Sequence, residues 1–251
     1  MKFIGVDLAW TSGSTGLCCL VWQDRKLQIL DFQRYQKLSE IWAWLDYWVK
    51  GSEAALIAVD APTIIPNATG MRVPDRLTHK YFGRYHAGCY PANLSRPFAE
   101  RTTQFSVMLE KRGFVHAPTM TPQKLGRFQI EVFPHPAMVN LFNLDRILKY
   151  KKGRLAARKV ELAKMRQYIQ SVLPQREPAL NLNHTSFSAL QSDFLNLKGV
   201  ELKAIEDQLD SLICAYVAAN WWYWGLEANW VLGDEKTGYI VIPAPLEKMG
   251  I

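Results

Sequence analysis

The chain is short of cysteine, of long apolar runs and of repetition, and each shortage removes a class of protein. Its four cysteines (Cys18, Cys19, Cys89, Cys214) have no CxxC or other paired-ligand spacing in 251 residues. This speaks against a zinc ribbon or a disulfide scaffold and for reduced, mostly buried thiols. The five histidines form no HExxH, and the sequence has neither a GxSxG elbow nor a Walker A loop, so zincin, serine-hydrolase and P-loop chemistries are disfavoured. The longest uncharged stretch near the end, residues 211–226, has sixteen residues, contains Asn220 and follows Asp207 and Asp210. A membrane span needs about 20 predominantly apolar residues. The opening MKFIGVDLAW carries one Lys, a short apolar run and an early Asp, which does not fit a signal peptide. The expectation is a soluble, cytoplasmic protein with no membrane partner.

What is present is an ordinary globular composition, 49% hydrophobic and 21% charged. A chain of this length buries roughly 70–75% of the surface its unfolded form exposes, enough for one domain over residues 1–251. Thirty Lys and Arg against twenty-three Asp and Glu give a net charge of +7, which favours polyanionic partners.

The order of elements is legible in the first third. Residues 2–9 form a β-rich run broken by Asp7, and TSGSTG at 11–16 supplies turn chemistry. Apolar runs at 17–22 and 27–32 flank a short polar turn, so three strands are predicted as an antiparallel meander. Ser39 is placed to cap a helix to about Val49, with Ile41, Trp42, Leu45 and Trp48 at helical spacing. Residues 54–59 form a fully apolar run ended by Asp60-Ala61-Pro62, the pattern of a buried parallel strand. Residues 63–127, interrupted by six prolines, read as a basic insertion of loops and short helices after the fourth strand. A strand at 128–134, helices at 136–148 and 155–173, an irregular stretch at 174–198, a helix at 201–223 and a hairpin at 229–232 and 239–242 complete the reading. A three-strand meander followed by αβ units is the order of the RNase H-like α/β fold. In that fold a mixed sheet sets the first strand beside the fourth, with helices flanking it.

Acids inside apolar strands are costly unless compensated. Asp7 in IGVDLAW, Asp60 in ALIAVDAP and Glu131 in QIEVFPHP are each a single acid in such a segment. On the predicted final helix, Glu206 and Asp207 stand at i,i+4 and i,i+3 from Asp210, where like charges repel. Carboxylates converging from a sheet edge and a helix make the oxygen-rich site that magnesium or manganese prefers, and two such ions stabilise an in-line phosphoryl displacement. The competing readings are structural: Asp60 as a cap of the following turn, and Glu206 and Asp207 as exposed helix acids.

The segments IGVDLAW, ALIAVDAP, IEVFPHPA and LDSLICAYVAA, in this order, resemble the family called domain of unknown function 429, whose members are predicted RNase H-like nucleases. MRVPDRLTHKYFGRY and the closing GYIVIP resemble it too, so nearly the whole chain is covered. The resemblance implies that Asp7, Asp60, Glu131 and Asp210 are the acidic metal-holding positions, with Asp207 a further helix acid, as in Holliday-junction resolvases of that fold.

Positive charge is segregated. Residues 149–166 hold eight basic residues and one acid, and residues 63–127 hold ten basic and three acidic ones. Each segment is thus +7, and the rest of the chain is −7. Such arms suit a nucleic-acid backbone, DNA or RNA, lying across an acidic cleft. Arg72, Arg76 and Lys80 in the first arm and Lys151, Lys152 and Arg154 in the second are the candidate phosphate contacts. Tyr81, Phe82, Tyr85 and Tyr90 are candidate stacking platforms. The bland alternative is a solvated helix face and loop packing. His135, between two prolines, reads as a turn residue that could assist proton or metal chemistry. The expected activity is divalent-metal-dependent cleavage of nucleic-acid phosphodiesters, with Mg2+ or Mn2+ held by Asp7, Asp60, Glu131 and Asp210. Its rivals are a non-catalytic nucleic-acid-binding or scaffold module of the same fold, and an actin- or sugar-kinase-like phosphotransferase using the 11–16 turn.

Overall fold

The computed structural model describes residues 1–182 and 194–245. Three strands open the chain: β1 (Lys2–Asp7), β2 (Thr15–Gln23) and β3 (Lys26–Tyr35). They pair antiparallel as the expected meander. The second and third run longer than their apolar cores because pairing continues through polar residues on both sides of a register shift at Cys19/Leu20. Helix α1 (Leu38–Trp48) follows. It begins one residue before the expected cap: Glu40, not Ser39, answers the free amides, accepting from the Lys37 N–H at 3.4 Å. Strand β4 (Ala55–Val59) lies parallel to β1, so the first strand does sit beside the fourth.

The 63–127 segment holds helices α2 (Val73–Phe82) and α3 (Ala99–Glu110) and the two-residue strand β5 (Val115–His116). Strand β6 (Arg127–Glu131) is parallel to both β4 and β5. Helix α4 (Pro134–Leu141) is shorter than expected and is followed by Asn143 at φ 50°. Helix α5 (Leu155–Val172) agrees with the sequence pattern. Within the stretch read as irregular, β7 (Leu180–Asn181) adds to the sheet beside β3; residues 183–193 of that stretch lie outside the described residues. Helix α6 (Gly199–Trp224) and the separate hairpin β8 (Asn229–Asp234) and β9 (Gly238–Pro243) close the chain. Among the described residues the main sheet is mixed and seven-stranded, in the order β5-β6-β4-β1-β2-β3-β7.

Helices cover both faces. Phe3, Leu56, Ala58, Ile130 and Val132 pack under α4, α5 and α6. Ile4, Val6, Ile57 and Val59 pack with α1 and with Phe105 and Leu109 of α3. Helix α6 is buried almost all round from Leu209 to Trp222, as a helix inside a core must be. Two glycines let it lie directly on the sheet. A Cβ on Gly5 would stand 1.9 Å from the Ser211 carbonyl oxygen, and one on Gly16 2.0 Å from that of Asp207. This close approach fixes where the acids of α6 fall. Among the described residues no helix is long and apolar enough to cross a membrane. Cys18, Cys19 and Cys214 are buried and Cys89 is half-buried, all four unpaired.

Candidate functional site

Strands β1 and β4 are parallel with Val6 beside Val59, so Asp7 and Asp60 leave the sheet side by side at the same edge. Asp210 adjoins Ser211, whose backbone touches Gly5, so α6 brings a third carboxylate to these strand ends. Asp210 is fully buried. Its Oδ1 accepts from the Tyr150 hydroxyl at 2.6 Å, and its Oδ2 has the Lys151 ammonium 2.9 Å away as an ion pair. Lys151 keeps 31% of its side chain exposed, but its charge is felt by Asp7 and Asp60 as well as by Asp210. Helix α5 holds the turn that carries it: Arg158 Nε donates to the Tyr150 carbonyl at 2.8 Å, and Glu161 accepts from the Lys149 N–H at 3.2 Å.

The electrostatics are those of crowded acids short of countercharge. Burial pushes Asp60 up to about 7, Lys151 opposes that, and Asp210 and Glu131 add to it. Asp7 is also pushed well above the carboxylate range, by burial first, with Lys151 opposing and Asp210, Asp60 and Asp207 reinforcing. Burial would lower Lys151, yet Asp210 and Asp7 more than offset it and hold the ammonium charged. His135, on the first turn of α4, is lowered to about 4 by burial, with Lys151 the next cause. Its ring lies 5.6 Å from that of Tyr150, and its Nδ1 is shut from solvent without a hydrogen-bond partner.

Two of the expected site acids are committed elsewhere. Glu131 pairs with Val59 in the register, so the pleat turns it away from the face that Asp60 shares with Asp7. There Arg72 grips it with two hydrogen bonds of 2.7 and 2.9 Å, and the Thr63 N–H adds a third at 2.9 Å. Arg72 also binds Asp75 through Nε and Nη2 at 3.2 and 2.9 Å. Arg72, expected to reach a phosphate, is therefore a clamp, 3% exposed. Asp207 takes Arg34 Nε at 2.7 Å and Lys203 Nζ at 2.8 Å. Glu206, read as an exposed helix acid, is buried and paired with Arg158 and Lys203.

Of the other basic candidates, Lys151 is drawn into the carboxylates, while Lys152 and Arg154 on the same turn and Arg76 and Lys80 on α2 are exposed. The 149–166 arm is partly neutralised, since Lys151, Arg158 and Lys164 are in ion pairs. Of the expected stacking aromatics, Tyr81 and Tyr90 are exposed, but Phe82 is core, because α2 turns it inward toward Trp230. Sequence reasoning missed the roles of Tyr150 and Lys151; the signal available was a Tyr-Lys pair beside a run of basic residues, which composition alone reads as surface.

A cavity of about 210 Å³ opens beside Asp60, lined by Trp10, Cys89, Tyr90, Phe133, Ile240 and the Arg72–Glu131 clamp. Asp7, Asp210 and Lys151 do not line it. The donor set of Asp7, Asp60 and Asp210 is all oxygen, as Mg2+ or Mn2+ would require. Among the described residues, however, no three ligating side chains gather to hold a metal ion. Glu131 and Asp207 are spent on arginine and lysine, and the Lys151 ammonium already stands among the rest. The four-carboxylate metal set expected from the sequence is not assembled.

Fold and site define a mixed α/β protein with a carboxylate–lysine cluster at the C-terminal edge of adjacent parallel strands. A family model described as "Protein of unknown function (DUF429)" matches residues 5–236, and the chain belongs to that family. No curated protein and no solved structure matches it.

Proposed function

We propose that the chain is an RNase H-like enzyme that hydrolyses nucleic-acid phosphodiesters at Asp7, Asp60 and Asp210. The fold reading is supported by the sheet order, with a β1–β3 meander and β4 and β6 added in parallel beside β1. The observation that carries the activity is the convergence of Asp7 and Asp60, both raised by burial, with Asp210 and its Lys151 ammonium at the strand ends. Groups with such perturbed affinities mark reactive sites more often than structural ones.

The chain's own residues can move the protons. Asp60, near 7, is about half ionised at neutral pH and can take a proton from the attacking water. As water adds to phosphorus, the bond to the leaving oxygen breaks. Asp7, which burial makes hold its proton more tightly than an ordinary carboxyl, can return one to that oxygen. Lys151 sets positive charge where the phosphoryl oxygens gain negative charge, and Tyr150 fixes Asp210, which holds the ammonium in place. Lys152 and Arg154 lie on the turn that reaches the cluster and suit the flanking phosphates. The aromatic-walled cavity beside Asp60 suits a nucleobase next to the scissile bond.

The test is cleavage of labelled single- and double-stranded DNA and RNA by the purified protein, in EDTA and in Mg2+ or Mn2+, beside Asp60→Asn. Cleavage lost in the variant supports the reading; equal cleavage by both, or none with any substrate, sinks it. The saturation of Asp210 by Tyr150 and Lys151 favours one other reading, a nucleic-acid-binding module without turnover, and salt-sensitive binding without cleavage would select it. The kinase-like alternative calls for two copies of the core, and the described residues contain one seven-stranded sheet and a hairpin.

A further inference from the structure

The carboxylate cluster lacks a metal shell, yet it does not lack a cation. We propose that Lys151 is the resident cation of this site, standing where a divalent ion would otherwise bind and excluding it. The inference deepens the reading above by naming the cation of the same site, and rests on it only for the site's location. Three observations support it. Lys151 Nζ is 2.9 Å from Oδ2 of the fully buried Asp210. The other oxygen of that carboxylate is held by Tyr150, the preceding residue, so two consecutive side chains of one turn grip both sides of Asp210. The turn is itself anchored from α5 by Arg158 and Glu161, which makes the ammonium a built part of the site.

An ammonium placed there repels a divalent ion and occupies its space, since like charges a few ångströms apart repel appreciably even in water. Removing it leaves Asp7, Asp60 and Asp210 with uncompensated charge and free to draw in around a hard cation.

Manganese binding, followed by calorimetry or by loss of the free-ion EPR signal, tests this without any substrate. Wild-type protein should bind no Mn2+ at the cluster. Lys151→Ala should bind it at least about tenfold more tightly, and the gain should vanish in Lys151→Ala/Asp60→Asn. Should Lys151→Ala not fold, Lys151→Met, which keeps the aliphatic stem, carries the same comparison. Mn2+ binding by the wild type that Asp60→Asn removes would overturn the proposal, because the ion would then displace or coexist with Lys151. Absence of binding in both the wild type and the folded Lys151 variant would also overturn it, because no cation place would exist to fill. A protein that excludes Mn2+ as predicted but cleaves nothing would keep this inference and lose the nuclease reading.

Discussion

Two ionic clusters sit beside the ends of the parallel strands, and they differ in how fully their charges are answered. Around Arg72 every carboxylate oxygen has a donor. Glu131 receives both guanidinium nitrogens and the Thr63 N–H. Asp75 receives Arg72 Nε and Nη2 on one oxygen and the Arg72 and Ala92 N–H groups on the other. Around Lys151 three carboxylates share one ammonium, 2.9 Å from Asp210, and burial raises Asp7 and Asp60 above the carboxylate range. The first cluster has its charges matched and ties α2 to β6. The second sets three acids against one ammonium, the imbalance on which the proposed proton and phosphate chemistry rests.

The largest expected effect separates the two by stability. Arg72→Met leaves Glu131 and Asp75 buried without their cation, a loss of about 3–5 kcal/mol for a broken buried pair, read by urea or thermal unfolding. A change within experimental error would mean that the clamp is dispensable and the contrast false.

A smaller effect has the opposite sign. The folded-state affinity of Asp60 is raised to about 7, while an unfolded Asp titrates near 3.9. Between about pH 4 and 7 the folded protein therefore binds more protons than the unfolded chain, and this group's contribution to stability falls as pH rises through that window. Asp60→Asn removes the penalty. It should stabilise the protein at pH 8, by at most about 1.4 kcal/mol for each pKa unit of the shift, with the gain shrinking on acidification and gone below about pH 4. Melting curves of both proteins across that range check it, and a variant less stable than wild type at pH 8 would assign Asp60 to the structural class.

The smallest effect concerns the surface. Lys152→Ala with Arg154→Ala should reduce the salt slope of nucleic-acid binding by about 0.7–0.9 for each phosphate these side chains neutralise, with no change in melting temperature. An unchanged slope would make the exposed part of this turn a solvated surface.

How much of this was legible in the sequence depends on whether neighbours along the chain or neighbours in space decide the outcome. The meander, the β1–β4 pairing, α5, α6 and the final hairpin follow from local apolar runs and turn residues. The convergence of Asp7 and Asp60 follows from strand order, because acids ending adjacent parallel strands must share an edge; Asp210 joins them because α6 lies directly on Gly5 and Gly16. The fate of Glu131 did not follow, because a one-residue difference in pleat phase from Asp60 decides which face it joins. Arg72 and Lys151 look alike as basic residues in basic segments. Only the approach of β6 to α2, and of α6 to the 149–154 turn, makes one a clamp and the other the centre of the site. Resemblance to the family carried the acidic positions but no activity, so the chemistry rests on geometry.

The measurement that bears most directly on the role of the cluster is the pH profile of single-turnover phosphodiester cleavage by wild type and Asp60→Asn. Wild-type cleavage should rise as pH passes through about 7, where Asp60 ionises. Asp60→Asn should be slower by about 10²–10⁴-fold, as loss of a general base requires, and should show no such rise. Full cleavage by Asp60→Asn, or a wild-type rate indifferent to pH across that range, would contradict this and leave the carboxylate–lysine cluster without the role assigned to it.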